Sequence, residues 1–541
     1  PDSRSAQSCP SLESSPPAPL PEGEGRKSWI AAESLPMWRA TCPDAVLQPA
    51  IEAPMEFAAK NWGRETALLE IIRARLGCVG PVRVSELART FGVDDSDIVI
   101  ALAALEREGC AMQGRFTPGA SKQEWCERGL LARIHRRTLQ RLRREIEPVT
   151  LRDCMRFLMG WQHVSPETRL RGPDALAAVL AQLEGFEAPA AAWESQLLPA
   201  RVTGYDIAWL DTLCAAGRTA WTRLRAAPAG AHAGPVRTSP IVLLPRKQMS
   251  RWNAVGAQTN AEPPSLSSRA QAVVEFLAQH GASFFGEIAD GTRLLKVELE
   301  DVLGELVGAG VVGADSFAGL RALLQPASKR KHPRQRRLAR HLLNGIEDAG
   351  RWSLIWRAAP STSDAHGDAL EHIARVLLRR WGVVFWKLLE REPAWLPPWR
   401  ELRRVYQRLE ARGEIRGGRF VEGIAGEQFA LPEAVEALRR ARKRADDGTL
   451  VMVSGADPLN LVGSVLPGAK VPALATSRIV YRDGMPIATR VAGEVTLLQA
   501  LSPADERALR AAMREHATHD AAIRSPHPPA LRATPFVPKG V

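Results

Sequence analysis

The sequence lacks most of the features that would place a protein at once. No uninterrupted apolar run in its 541 residues approaches the roughly 18 needed for a membrane-spanning helix, and no basic-then-apolar signal pattern opens the chain. A cytoplasmic protein with no membrane partner is therefore expected. Seven cysteines form no Cys-x-x-Cys pair and are odd in number, so neither a zinc site nor a disulfide framework is expected, and each reads as a small buried apolar residue. No metal site is expected either. No G-x-x-x-x-G-K-[ST] loop occurs, and without backbone amides and a lysine to hold phosphates this polypeptide is not expected to hydrolyse ATP. The first residue is Pro rather than Met, which reads as a fragment or an incomplete reading frame.

What is present is length and positive charge. A single core stops growing at roughly 250–300 residues, so 541 residues imply several domains. A formal net charge of +12 favours a polyanionic partner, because Lys and Arg that neutralise phosphates release condensed counterions. Residues Pro1 to Gly25 are rich in Ser, Pro, Glu and Gly, a composition that cannot bury enough apolar surface to offset ordering entropy. Further breaks fall at Ala226 to Gly234, Gly256 to Pro264 and the basic stretch Lys329 to Arg334.

Between the breaks one pattern recurs: an amphipathic helix ending in Leu-x-x-x-Gly, then a short apolar segment. It appears at Leu105 to Gly109, Leu213 to Gly217, Leu306 to Gly310 and Leu409 to Gly413, and such recurrence indicates repeated supersecondary units. The first copy is the clearest. Leu68, Leu69, Ile72 and Leu76 have helical spacing, Ser85 is a cap candidate for a short helix ending at Phe91-Gly92, and Asp94 to Asp97 supply caps for a third helix through Glu108. Cys110 to Phe116 then reads as a strand entering a hairpin. Three helices and a hairpin make a winged helix, whose third helix can enter a major groove while the wing follows the backbone. The second copy is looser, with Arg218 to Trp221 pairing Ile241 to Leu244; the third has its wing around Val311 to Phe317; in the fourth, Pro397-Pro398 precedes a long helix from Trp399.

Beyond Leu450 the periodicity alternates. Leu450 to Val453, Arg478 to Tyr481 and Met485 to Ala488 read as strands, with an Asp483-Gly484 turn. The expected fold is mainly α: tandem winged-helix domains with helical connectors and a small, barrel-like C-terminal β module. The expected division is 1–26 linker, 27–63 connector, 64–120 first winged helix, 121–150 basic connector helix, 151–255 second winged helix and 265–326 third winged helix. Then come 327–368 basic linker and helical connector, 369–448 fourth winged helix, 449–501 β module, and 502–541 C-terminal helix and tail.

Specific runs resemble the C-terminal region of the bacterial large helicase-related protein, Lhr. They are Glu124-Trp125-Cys126-Glu127-Arg128 with Leu131 to Arg136, Trp161 to Val164, Leu198 to Val202, Arg408 to Val421, Gly426 to Glu433 and Ala456 to Gly463. They follow the family's order over roughly 27–501. The resemblance implies a DNA-repair setting and an ATPase motor that is missing from this chain, so ATP and Mg2+ enter only through a helicase motor in cis or in trans. The region is also similar to AlkZ-like DNA glycosylases, whose Asp-Pro-Leu stretch matches Asp457-Pro458-Leu459. Their paired Gln-x-Gln or Gln-x-Asp motif has no clear counterpart, since His163-Val164 follow Gln162.

Several residues are candidates for contact with DNA. The helix around Glu124 to Glu147 carries Arg128, Arg133, Arg136, Arg137, Arg141, Arg143 and Arg144 beside Leu131, Ile134, Leu139 and Leu142, an arginine face suited to phosphates. In the wing Arg416-Gly417-Gly418-Arg419-Phe420, two glycines allow close backbone approach while the arginines and Phe420 clamp or stack on a base. Lys329, Arg330 and Lys331 read as an electrostatic tether. Glycosidic hydrolysis needs a carboxylate to activate water and a pocket for a flipped base. Asp457, Glu427 and Glu194 are the carboxylate candidates, His163 a polar partner, and Trp161, Gln162, Phe429 and Asn460 the base-pocket candidates. Each carboxylate also suits a capping or ion-pair role, Asp before Pro being a common turn starter. Trp352, Trp356, Trp381 and Trp386 read as core.

Three function classes follow. The first is binding and positioning of single-stranded or damaged duplex DNA, with RNA as a competing ligand. The second is a monofunctional DNA glycosylase, acting on uracil or alkylated bases, that needs no cofactor. The third is a scaffold that forms a homo-oligomer.

Overall fold

The computed structural model describes residues 30–225, 236–256, 265–324, 346–348, 350–355 and 363–522. They fall into two compact units that divide after Arg141. The Ser- and Pro-rich N-terminus, the stretch Lys329-Arg330-Lys331 and Trp356 lie outside the described residues.

The four Leu-x-x-x-Gly copies end four helices in one way. Gly109, Gly217, Gly310 and Gly413 all have φ between +66° and +76°, a left-handed conformation that costs glycine nothing. In each copy the amide of the next residue donates to the carbonyl of the Leu: Cys110 to Leu105, Arg218 to Leu213, Val311 to Leu306 and Glu414 to Leu409, at 2.9–3.0 Å. This closing bond satisfies an orphan carbonyl and turns the chain into the strand that follows.

The first unit holds one winged helix. Helices Arg64–Leu76, Val84–Phe91 and Asp95–Arg107 pack around Leu68, Ile72, Leu87, Ile98, Leu102 and Leu105, and strand Ala111–Gly114 pairs antiparallel with Glu124–Glu127. Two expectations change here. The short helix is capped at Arg83, whose amide donates to Glu86, and not at Ser85. Glu124 to Glu127 form the second wing strand, with Trp125 buried in the core, so the arginine helix begins only at Arg128 and runs to Arg144.

The second unit contains the other three winged helices and a sheet. In the second, strand Thr219–Thr222 pairs with Pro240–Pro245, close to the sequence expectation, and Ala188–Pro189 extends the sheet. The third winged helix comprises helices Ser268–His280, Phe285–Thr292 and Lys296–Ala309; its strand Val312–Ala314 pairs with the distant Arg351–Leu354 rather than closing a local hairpin, and Phe317–Leu323 is a helix, not wing. The fourth has helices Ser363–Trp381 and Trp399–Ala411 with strands Val383–Val384, Gln428–Ala430 and Arg416–Gly418. Helix Pro432–Lys443 leads to the β module. There, Leu450–Ser454, Arg478–Arg482, Met485–Val491 and Glu494–Leu497 form an antiparallel meander in sequence order. The first and last strands do not pair, so this is an open sheet and the barrel-like expectation is corrected. Helix Pro503–Ala522 follows, placing Leu509 and Met513 against Val480 and Ile487.

Helix Leu151–Trp161 shares one core with the fourth winged helix and the sheet, through Phe157, Trp381, Tyr406, Leu459 and Tyr481. Much of the second winged helix shares another with the third, through Trp193, Leu213, Leu303 and Trp352, while Val242, Leu244 and Trp252 belong to the first core. Trp352 and Trp381 are fully buried as expected, whereas Trp386 is exposed, its indole N–H bonded to the Ala425 carbonyl. The cysteines divide as well: Cys126, Cys154 and Cys214 are buried, Cys42 and Cys110 half-buried and Cys78 exposed. Among the described residues no helix is long and apolar enough to cross a membrane.

Candidate nucleic-acid interface and a cavity in the β module

A winged helix reads DNA with its third helix only if that helix offers phosphates a cationic face. Three of the four do not. Asp95–Arg107 opens with Asp95 and Asp97 and exposes Val99 and Ile100. Ile207–Ala215 carries Asp211 and no Lys or Arg. Lys296–Ala309 bears Glu298, Glu300, Asp301 and Glu305, with Leu295 and Val297 exposed at its start.

Trp399–Ala411 is different. Its apolar stripe, Leu402, Val405, Tyr406 and Leu409, is buried in the core, which leaves Arg400, Arg403, Arg404, Gln407 and Arg408 exposed on the other face. The sequence reading missed these four arginines. The signal was present: positions 400, 403/404 and 407/408 are the complement of the 3.6-residue apolar period.

The adjoining wing contributes less than its composition suggests. Arg416 and Arg419 are exposed, but Phe420 is 2% exposed and so cannot stack on a base. Gly417 and Gly418 serve packing. The Gly417 amide donates to Glu410 Oε1 at 3.1 Å, and a Cβ on Gly418 would overlap Ile146 Cδ1. The chain just before residue 150 covers this edge: the Val149 amide donates to the Phe420 carbonyl at 2.8 Å, and the Val149 carbonyl accepts from the Glu422 amide at 2.9 Å. Arg143 is fixed by both oxygens of buried Glu410 and lies 3.4 Å from Glu427, and the hydrogen bond to Glu410 raises its pKa.

Helix Arg128–Arg144 has seven arginines, no Asp or Glu and no buried residue. Arg128, Arg133, Arg136, Arg137 and Arg141 are all exposed along it, and Ile134 is exposed with them.

The carboxylate candidates are held in ion pairs. Asp457, 1% exposed, is gripped by fully buried Arg201 through Nη1 to Oδ2 at 2.7 Å and Nη2 to Oδ1 at 3.0 Å; Oδ1 also accepts the Leu459 amide at 2.9 Å. The same Arg201 donates to Gln162 Oε1 at 3.0 Å, while Gln162 Nε2 donates to the Arg380 carbonyl. Folding thus joins Gln162 and Asp457, 295 positions apart in sequence, in one buried network. Glu194 accepts Arg321 through both oxygens and the Tyr205 hydroxyl, and Arg321 also binds Asp211. Glu427 faces Arg143, Arg403 and Gln407. His163, at φ +59°, sits by the Thr168 carbonyl, and burial lowers its pKa. Trp161 donates to the Arg379 carbonyl, and Phe429 packs fully buried against Trp399 and Tyr406.

Asn460 lines a cavity of about 290 Å³ in the loop between the first two strands of the β module. Arg391 borders it, with Glu390 and Lys470 exposed at its edge and Val462 and Val471 as apolar wall. Arg391 is fixed by the carbonyls of Gly455, Ala456 and Asp457, and burial lowers its pKa.

Comparison with known proteins agrees with this architecture. Winged-helix domain models of the large helicase-related protein match residues 149–246, as the third such domain, and 363–450, as the fourth. The chain is 30% identical over 476 residues to the Lhr helicase/probable uracil glycosylase of Mycolicibacterium smegmatis, covering 81% of this chain and 30% of that protein. It is 30% identical over 430 residues to the Lhr helicase/uracil glycosylase of Escherichia coli, covering 72% of this chain and 26% of that protein. The chain therefore spans less than a third of either relative.

Proposed function

We propose, from the premise that this chain carries an Lhr C-terminal-like region with that family's third and fourth winged-helix domains, that it binds and positions single-stranded or damaged DNA. The observation that carries the reading is the third helix of the fourth winged helix, where Arg400, Arg403, Arg404 and Arg408 lie outward while the other three third helices present carboxylates or exposed aliphatics. Arg416 and Arg419 extend that cationic face, and Arg128, Arg133, Arg136 and Arg137 form a second one on the connector helix. Any ATP-driven movement belongs to a motor in cis or in trans.

The test is a salt titration of affinity for labelled single-stranded DNA. Each phosphate contact contributes about 0.7 to the slope of log K against log salt. Replacing Arg400, Arg403, Arg404 and Arg408 with Ala is expected to reduce the slope by roughly 2–3. Neutralising Glu298, Glu300 and Asp301 in the third winged helix should leave it unchanged. Salt-independent, residual binding would instead favour a scaffold, and equal affinity for RNA would broaden the ligand class.

A second reading, excision of uracil from DNA, is supported by the names of the two relatives and by the cavity beside Asn460. Oligonucleotides carrying uracil, treated with the protein and then alkali, would be cut only if bases are removed.

A further inference from the structure

We infer that Trp386 is a stacking platform for one unpaired nucleobase, at the edge of the arginine face of the fourth winged helix. The inference rests on the DNA-binding reading, which supplies the strand, and narrows its ligand to strands with a base free to leave its neighbours.

Trp386 is 40% exposed, and no other tryptophan among the described residues is exposed. Trp381 and Phe385, just before it in sequence, are fully buried, so this one ring leaves a flat apolar surface in water. The ring is also held. Its Nε1 donates to the Ala425 carbonyl at 3.1 Å, and Gly426 comes close enough that a Cβ there would lie 3.7 Å from Cδ1. Both contacts are on the pyrrole edge, so the wing fixes the ring by that edge and leaves part of its surface to solvent. With the N–H spent on the main chain, what remains is π surface, which stacks on any base and reads none.

Charge decides what this surface stacks on. Ala425 and Gly426 directly precede Glu427, whose carboxylate accepts Gln407 at 3.1 Å and lies 3.8 Å from Arg403 Nε, so the ring borders the exposed side of helix Trp399–Ala411. The charge of Glu427 is itself shared between Arg143 and Arg403. Arg400, Arg403, Arg404 and Arg408 are exposed on that helix, Arg416 and Arg419 are exposed beyond it, and Lys387 Nζ lies 5.9 Å from the ring centre. A flat apolar surface bordered by cations suits a base carried on an anionic backbone. A duplex offers it no partner, because each base face inside is already stacked on a neighbour and unstacking costs free energy. Phe284 of the third winged helix shows the contrast. It is 48% exposed, but the third helix of its domain carries Glu298, Glu300, Asp301 and Glu305, which repel phosphates.

Fluorescence anisotropy of a short labelled thymidine oligomer, titrated with the full chain, tests this. Trp386→Ala is expected to weaken binding by about 5- to 150-fold, the range for one lost stacking ring. Its affinity for a duplex of the same length, and for a strand of abasic sugars, should stay within about twofold of wild type, and its salt slope should change by less than the roughly 0.7 of one phosphate contact. Trp386→Phe loses the bond to Ala425 but keeps a ring, and should bind within about threefold of wild type; Phe284→Ala should bind as wild type does. Unchanged thymidine binding by Trp386→Ala would overturn the inference. So would an equal loss on the duplex or the abasic strand, or a Trp386→Phe as weak as Trp386→Ala, which would assign the residue to anchoring the wing. The two readings fail separately. A wild-type chain that binds with a steep salt slope while Trp386→Ala loses nothing sinks only the stacking, whereas a wild-type chain without salt-dependent binding sinks the DNA-binding reading and the stacking with it.

Discussion

Replacing Asp457 with Asn separates structure from catalysis at the residue whose motif most resembles a glycosylase. In the native protein its two oxygens take two charge-assisted hydrogen bonds from Arg201, at 2.7 and 3.0 Å, and one from the Leu459 amide, with both side chains essentially excluded from water. Asn keeps the volume but offers one acceptor and turns an N–H₂ toward the guanidinium. Two bonds to a charged group at about 1.5–3 kcal/mol each give roughly 3–6 kcal/mol, in line with the ~3–5 kcal/mol cost of removing one partner of a buried pair. Urea unfolding followed by circular dichroism should show the second unit destabilised by that amount. The double variant Arg201→Met, Asp457→Leu should recover much of the loss, because it buries no charge. A stability change below about 0.5 kcal/mol, the scale of surface substitutions, would refute this reasoning, and with loss of base excision it would return Asp457 to the role of catalytic carboxylate.

Two further outcomes are expected. Gly418→Ala should destabilise the fourth winged helix by about 1–3 kcal/mol through overpacking against Ile146, with partial rescue by Ile146→Ala in the same unfolding assay; a neutral Gly418→Ala would return that glycine to backbone contact with phosphate. Burial pushes the Cys154 and Cys214 thiols up to about 12, so both should resist maleimide at pH 8 while exposed Cys78 reacts. Mass spectrometry of the labelled native chain would read the pattern, and rapid labelling of Cys154 would contradict the packing described for helix Leu151–Trp161.

The candidate sites show where sequence patterns carry chemistry and where they do not. The arginines of helix Arg128–Arg144 were legible because a run with no acidic residue has few ways to hide its charge. Those of Trp399–Ala411 were equally legible, as the complement of the helix's apolar period. Gly417, Gly418 and Phe420 look from composition like a backbone clamp with a stacking ring, but a turn in contact with phosphate and a turn packed against Ile146 have the same local sequence. The carboxylates are the sharper case, since nothing near Asp457 announces that Arg201 lies against it.

By itself the sequence determined the local structure: the helix periods, the four left-handed glycines that end them, the alternation of the last strands and the net positive charge. All of these depend on residues within a turn or two of one another, or on composition. Only the tertiary structure decided that the β module is an open sheet, that Gly418 packs on Ile146 and Phe420 is buried, and that Asp457 and Gln162 meet on Arg201. It also decided that the side-chain oxygen of Asn460 is buried with no hydrogen-bond partner among the described residues. Partners hundreds of positions apart are chosen by how whole elements pack, and no short stretch of chain carries that information.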